Sequence, residues 1–153
     1  MHKVIVSVVL FKHSYADLKP TLESVFLSPL IEKIILVDND KREWASTLLN
    51  PKVVYVKSDG NYGFGYGHNI AIHKYSHQSE YFLICNPDIQ FDSDEFDKLV
   101  NFADSRKEGL FLPKIIYQTG ENQYGARLLP STFALVARRF SPKLAEKLAE
   151  YYL

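Results

Sequence analysis

Four short apolar runs, rich in β-branched side chains, divide the first half of the chain. They are VIVSVVLF (residues 4–11), KIILVD (33–38), KVVYV (52–56) and YFLIC (81–85). Each run is continuously apolar and does not alternate with polar residues, which is typical of strands covered on both faces of a parallel sheet. The pattern therefore predicts four buried, mostly parallel strands.

Helical segments separate these runs. Leu18, Leu22, Val25 and Phe26 recur at helical spacing and predict a helix from Tyr15 to Leu27. A strand, a helix and a second strand therefore open the chain, and this alternation predicts a layered α/β domain with right-handed crossovers. Further helices are predicted over residues 42–49, 68–77 and 93–107, the last with Ser93 as its N-cap.

The last third of the chain is less regular. The run LFLPKIIY (110–117) predicts a fifth strand, which Pro113 places near the edge of the sheet. A polar turn follows, and SPKLAEKLAEYYL then predicts a terminal amphipathic helix. We expect one domain over residues 1–131 and a helical tail over residues 132–153.

Composition narrows the class of protein. The 153 residues suit one domain, and 18 basic side chains balance 18 acidic ones, so no polyanion such as duplex DNA is expected as the main partner. The only cysteine, Cys85, excludes an intrachain disulfide and fits a reducing cytoplasm. The apolar part of MHKVIVSVVLF is too short to span a bilayer and favours a strand over a signal peptide or anchor.

Polar residues follow each of the four predicted strands. In open α/β sheets, ligands bind beyond the carboxyl ends of the strands, and these ends lie at one edge when the strands are parallel. The sequence therefore predicts that the candidate chemistry meets at that edge. The residues concerned are Lys12 and His13, Asp38 to Asp40, the glycine-rich segment 58–67, and Asn86 to Asp88.

The segment GNYGFGYG (60–67) contains four of the chain's seven glycines. It fits neither a Walker loop nor a dinucleotide fingerprint, because it lacks Gly-Lys-Ser/Thr and follows the third strand instead of the first. Its spacing lets backbone approach a ligand, and a helix N-terminus expected near His68 favours an anion. A plain glycine-rich turn is the alternative, and the density of glycines favours a ligand loop.

The triplet NPD ends the fourth strand. The Asp88 carboxylate, with Asn86 two residues earlier, is suited to a hard divalent cation that bridges ligand phosphates. Asn, Pro and Asp also favour turns, so a turn is the alternative. Asp38 is likewise either a ligand contact or a cap for the short helix after it.

In order and spacing, five segments of the chain resemble the inverting glycosyltransferases of family 2, and within them the rhamnosyltransferase-like enzymes of bacterial surface polysaccharide assembly. They are VIVSVVLFKH, IILVDND, GNYGFGYGHNIAI, YFLICNPDI and LFLPKIIYQTGENQYGARLLPS, and the resemblance covers residues 3–131. It implies a GT-A (Rossmann-like) fold, Mg²⁺ or Mn²⁺, and a nucleotide-diphosphate sugar donor such as dTDP-rhamnose. The acceptor it implies is a glycan or lipid-linked molecule, such as lipopolysaccharide O-antigen.

The resemblance also implies roles for single residues. Asp88 is the metal-binding acid of a DxD-like motif in which Asn86 replaces the first acid, and Asp38 lies near the base. The donor-binding residues implied are Phe11, Asp38, Asn39, Gly60, Asn61, Gly63, Phe64, Gly65, Gly67, Asn69 and Asn86.

Members of the resembling family carry a further acceptor-binding half with the catalytic acid, and the resemblance implies that this half is absent here. Glu146 and Glu150 in EKLAE favour a solvated helical face over a general base. The alternatives are therefore a glycosyltransferase with an unknown base, or a non-catalytic nucleotide-sugar-binding or self-associating module. A flavodoxin-like or dinucleotide-binding domain is a third, less favoured hypothesis.

Two further pairs of side chains have simpler interpretations. His73 and His77 lie four residues apart on a predicted helix, but without a third ligand a surface role is favoured over metal binding. Arg138 and Arg139 suit either contact with the inner face of the cytoplasmic membrane, or an ordinary helix end or homodimer contact.

Overall fold

The computed structural model describes residues 3–106 and 109–123. The chain divides into two compact units, Met1–Ser105 and Arg106–Leu153. Within the described ranges, no helix is long and apolar enough to cross a membrane. The predicted helical tail, with its two glutamates and two arginines, and the predicted boundary at residue 131 lie outside the described residues.

The first unit alternates strands and helices as predicted. Two short 3₁₀ helices, Trp44–Thr47 and Ser76–Gln78, add to the regular elements. The regular elements are β1 (Val4–Leu10), α1 (Tyr15–Leu27), β2 (Ile31–Asp38), β3 (Val53–Lys57), α2 (Phe64–Tyr75), β4 (Tyr81–Cys85) and α3 (Ser93–Asp104).

The four strands form one parallel sheet in the order β3-β2-β1-β4. In this sheet β1 is flanked on both sides, and all seven of its residues are buried. Its even-numbered residues pack with α1 and α3, whereas Ile5 and Val9 pack with Ala71 of α2 on the opposite face. The expected α/β fold with flanking helices is therefore confirmed, and burial on both faces explains why the strands read as continuous apolar runs.

Three predicted helices have different bounds. The segment 42–49 forms only the 3₁₀ helix Trp44–Thr47, and α3 ends at Asp104 with Asp92 as its N-cap instead of Ser93. Helix α2 begins at Phe64 and not near His68, so two glycines of the glycine-rich segment lie inside it. Packing against the sheet outweighs the low helix propensity of glycine there.

The fifth strand predicted over residues 110–117 is much shorter in the structure. Within the described residues, this run contributes only the two-residue strand β5 (Ile115–Ile116), which pairs with β6 (Asn122–Gln123) in an antiparallel ladder. Pro113 has no N–H to donate to a ladder, and Gly120, at φ 86°, closes a tight turn that returns the chain onto β5. The apolar run therefore supplies one strand of a short hairpin.

Candidate functional site

A pocket of about 470 Å³ opens at the carboxyl edge of the sheet. From β1 the sheet extends through β2 to β3 in one direction, whereas β4 lies on the other side of β1. The carboxyl ends of β1 and β4 thus diverge at a topological switch point, where open α/β sheets bind ligands. The pocket is lined by Val9, Phe11, His13, Asn39, Asn61, Gly63, Phe64, Asn86, Pro87 and Asp88.

The structure brings most of the residues predicted to bind a donor to this pocket. The predicted residues that line it are Phe11, Asn39, Asn61, Gly63, Phe64, Asn86 and Asp88. Those that do not line it are Asp38, Gly60, Gly65, Gly67 and Asn69.

The loop after β1 is held in a fixed conformation. Lys12 adopts a left-handed backbone at φ 62°, which is unusual for a residue with a side chain, and its N–H donates to Asp40 Oδ2 at 2.7 Å. The Phe11 N–H donates to His13 Nδ1 at 3.0 Å, and Trp44 Nε1 donates to the His13 carbonyl at 2.8 Å. These contacts fix the two pocket residues Phe11 and His13.

Asp38 organises the loop after β2. Its buried carboxylate accepts hydrogen bonds from the backbone N–H groups of Asp40, Lys41 and Glu43 at 3.0 to 3.1 Å and from the Tyr55 hydroxyl at 2.8 Å. Burial raises the pKa of Asp38, but these hydrogen bonds outweigh burial and hold the pKa below its ordinary value. The contacts of Asp38 are thus the local, structural ones, and its contact with a nucleotide stays a prediction.

The neighbouring Asn39 faces the pocket instead. Its side chain is 3% exposed, and Nδ2 donates to the Gly63 carbonyl at 3.3 Å, which fixes the orientation of the amide. Within the described part of the chain, Oδ1 is buried and has no hydrogen-bond partner. A buried acceptor without a donor is rare in proteins, and one in a pocket lining is suited to a ligand N–H or O–H.

The glycines of this segment differ in what they do. Gly63, at φ 94°, precedes helix α2 in a conformation that a side chain would strain. A Cβ on Gly67 would lie 2.7 and 2.9 Å from the methyl groups of Val9, so this glycine lets α2 pack closely on β1. A Cβ on Gly65 would meet no atom within 4 Å. The segment is therefore partly a pocket wall and partly a packing device.

His68 is a buried polar residue that the sequence analysis treated only as a helix start. It is 2% exposed, its Nδ1 lies 2.9 Å from Ser7 Oγ, and burial lowers its pKa to about 4. Its ring meets the ring of the pocket residue Phe64 edge-on, with centroids 4.3 Å apart. The one hydroxyl within the apolar run VIVSVVL, that of Ser7, is the sequence feature from which a buried polar partner could have been inferred.

The NPD triplet lies at the pocket as predicted. Thr21 Oγ1 donates to the Pro87 carbonyl at 2.7 Å, which ties the triplet to α1, and the Asp88 side chain is exposed at the pocket. Across residues 3–106 and 109–123, no group of three or more His, Cys, Asp or Glu side chains is placed to hold a metal ion. A cation at Asp88 would therefore need ligands from water and from a bound molecule.

The structure also describes the residues predicted as a strand cysteine and as surface histidines. Cys85 is buried at the end of β4, and burial, with the nearby Asp88 charge, raises the pKa of its thiol to about 12. His73 and His77 are both exposed, as expected of surface residues.

The model of glycosyl transferase family 2 matches residues 6–150, which include every residue that lines the pocket. Among curated proteins, the low-salt glycan biosynthesis hexosyltransferase Agl10 of Haloferax volcanii is 27% identical over 97 residues. The match covers 59% of this chain and 30% of that protein, so the chain spans less than a third of the relative's length. Because the family model matches most of the sequence, and the parallel sheet carries its pocket at the expected edge, the chain belongs to glycosyltransferase family 2.

Proposed function

We propose that the pocket binds the nucleotide-diphosphate part of a sugar donor and that the chain is the donor-binding part of an inverting glycosyltransferase. The observation that carries this proposal is the convergence of Asn39, after β2, and Asp88, after β4, in one pocket at the switch point of the sheet. The buried amide suits a base and the carboxylate suits a cation. The two ends of a nucleotide diphosphate need these two kinds of partner.

The nucleobase of the donor is proposed to lie at Asn39. Among the described residues the Oδ1 of this fixed amide has no partner and is available as an acceptor, and the N3–H of uracil or thymine is a suitable donor. Phe11 and Phe64 line the same pocket and are both about half exposed, so each offers an aromatic surface for a planar ring. This supports a uridine or thymidine nucleotide, and dTDP-rhamnose is the donor that the sequence resemblance implies.

The diphosphate is proposed to lie near Asp88 with Mg²⁺ or Mn²⁺. Among the described residues that line the pocket there is no lysine or arginine and the only carboxylate is Asp88, so phosphates alone would be repelled there. The Asp88 carboxylate and the Asn86 amide oxygen are hard ligands that fit such a cation, with phosphate and water oxygens as the others. A bound cation would stabilise the negative charge of the departing diphosphate.

The reaction proposed for the whole enzyme is attack by an acceptor hydroxyl on the anomeric carbon, with inversion. The acceptor is proposed to be a cell-surface polysaccharide or a lipid-linked glycan. Such a reaction needs a general base for the hydroxyl. Asp88 is assigned to the cation, so no residue of the pocket is assigned as the general base. A homodimer and contact with the inner membrane face also stay predictions.

Calorimetric titration tests the donor site. UDP and dTDP are titrated with Mn²⁺ or with EDTA into the wild-type chain, Asp88→Asn and Asp59→Asn. Asp59 is an exposed acid that does not line the pocket, so its variant makes the same charge change elsewhere. We expect Mn²⁺ to strengthen binding by the wild type and Asp59→Asn, and to have little effect on Asp88→Asn.

Absence of binding by any uridine or thymidine diphosphate, with or without metal, would refute the proposal. Assays of donor hydrolysis and sugar transfer, run beside a mass measurement in solution, then test the activity. Binding without turnover in a stable dimer would favour the non-catalytic module instead.

A further inference from the structure

The hydrogen bond between Phe11 and His13 fixes which nitrogen of the imidazole carries the proton. The Phe11 backbone N–H lies 3.0 Å from His13 Nδ1. A backbone N–H can only donate, so Nδ1 must present its lone pair. The ring is then the neutral tautomer with its proton on Nε2, and that N–H is the group left for another partner.

The Nε2–H group has no acceptor among the described residues, although the rest of His13 is held firmly. Its carbonyl accepts from Trp44 Nε1 at 2.8 Å, and the preceding Lys12 is fixed in a left-handed conformation with its N–H on Asp40. His13 also lines the pocket. The loop thus holds a hydrogen-bond donor in place at the pocket. Among the described residues His13 interacts electrostatically with Asp17, but no hydrogen bond uses its Nε2–H.

The position of His13 in the sheet indicates what it would meet. β1 lies between β2 and β4, so His13, which follows β1, comes between Asn39 on one side and Asp88 on the other. If the base contacts Asn39 and the cation is held at Asp88, the phosphates pass beside the end of β1. Among the described residues that line the pocket, no side chain is a lysine or arginine, so the N–H donors that this lining offers to phosphate oxygens are the His13 imidazole and side-chain amides.

We propose that His13 is a donor-binding residue that donates a hydrogen bond from Nε2–H to a phosphate oxygen of the nucleotide diphosphate. The proposal rests on the proposed function and adds to it a residue, an atom and the part of the ligand that is contacted. The Phe11–His13 bond serves as the positioning contact that keeps the imidazole in the required tautomer.

Two variants separate the two nitrogens of the ring. In His13→Asn the side-chain oxygen takes the place of Nδ1, so the Phe11 N–H keeps an acceptor and only the ligand donor is lost. In His13→Gln the amide nitrogen reaches the place of Nε2, so the ligand donor is kept and the Phe11 contact is lost. Each variant is titrated with UDP and Mn²⁺ by calorimetry and with uridine, which has no phosphate, by NMR.

We expect His13→Asn to bind UDP on the order of tenfold to a hundredfold more weakly than the wild type. Its uridine affinity and the melting temperature of the free protein should stay close to wild type. His13→Gln should keep more of the UDP affinity than His13→Asn and melt at a lower temperature.

Three results would overturn the proposal. Equal UDP affinities of wild type and His13→Asn would show that the imidazole only holds the loop. An equal loss of UDP and uridine affinity would place the contact on the nucleoside and not on a phosphate. A wild-type chain that binds no nucleotide diphosphate would refute the proposed function and this inference together, whereas the first two results leave the proposed function standing.

Discussion

The buried imidazole of His68 makes the stability of this fold sensitive to mild acid. The side chain is 2% exposed between α2 and β1, with Nδ1 on Ser7 Oγ at 2.9 Å and, within the described residues, no hydrogen-bond partner for Nε2. Burial lowers its pKa from 6.5 to about 4, because the charged form would lose its hydration. The imidazole therefore binds a proton more weakly in the folded state than in the unfolded chain.

The size of the effect follows from these two pKa values. Well above pH 6.5 the imidazole is neutral in both states, and its contribution to stability is fully present. As the pH falls from 6.5 towards 4, the unfolded chain takes up a proton and the free energy of unfolding decreases. With a folded pKa of about 4, the loss amounts to about 2 kcal/mol between pH 7 and pH 5 and about 3 kcal/mol by pH 4.

Urea denaturation of the wild type, His68→Asn and His73→Asn at pH 7, 6 and 5 measures this loss. In His68→Asn the new amide takes the place of Nδ1 beside Ser7 and does not titrate. This variant should therefore be less stable than the wild type at pH 7, but between pH 7 and pH 5 its free energy of unfolding should fall by about 2 kcal/mol less. His73 is exposed, so His73→Asn should follow the wild type. Parallel pH curves for wild type and His68→Asn would show that burial does not perturb this histidine.

Two further substitutions test the packing around the site. Gly67→Ala should lower the free energy of unfolding by about 1–3 kcal/mol, because its Cβ would overlap the methyl groups of β1. Gly65→Ala, with open space around its Cβ, should be neutral or stabilising, and equal effects of the two in urea denaturation would contradict the close approach of α2. Tyr55→Phe removes the hydroxyl that donates to Asp38 and should cost about 1–3 kcal/mol by the same assay. Since that bond also lowers the pKa of Asp38, an NMR titration should find the carboxyl pKa higher in the variant, and an unchanged pKa would refute its role.

The main elements of the fold were predictable because burial leaves a strong pattern in the sequence. All four strands were predicted from their continuous apolar runs, and the first helix has the predicted bounds Tyr15–Leu27. Once the strands are parallel, their carboxyl ends share an edge, so the residues after β1, β2, β3 and β4 could be expected to meet. The pocket lined by Phe11, Asn39, Asn61 and Asp88 confirms that expectation.

The structure departs from the predicted elements where contacts between residues distant in sequence outweigh local secondary-structure propensity. Glycines indicated a loop up to His68, but α2 starts at Phe64, because Gly67 allows the helix to approach Val9 on β1. The run 110–117 is as apolar as the true strands, yet it finds only a two-residue partner in a hairpin. Local sequence contains neither contact, so neither result could be derived from it.

Hydrophobic patterning alone specifies the layered α/β fold, the edge of the sheet that carries the site, and the segments that meet there. The tertiary structure decided which side chain of each segment reaches the pocket. Asp38 and Asn39 are adjacent in the chain, but the Asp38 carboxylate accepts hydrogen bonds from Tyr55 and the loop amides, whereas Asn39 lines the pocket and, within the described residues, its buried Oδ1 has no hydrogen-bond partner. The tautomer of His13 likewise depends on the conformation of a strained loop. Side-chain direction follows from backbone dihedral angles and from partners far away in sequence, which hydrophobic patterning does not record.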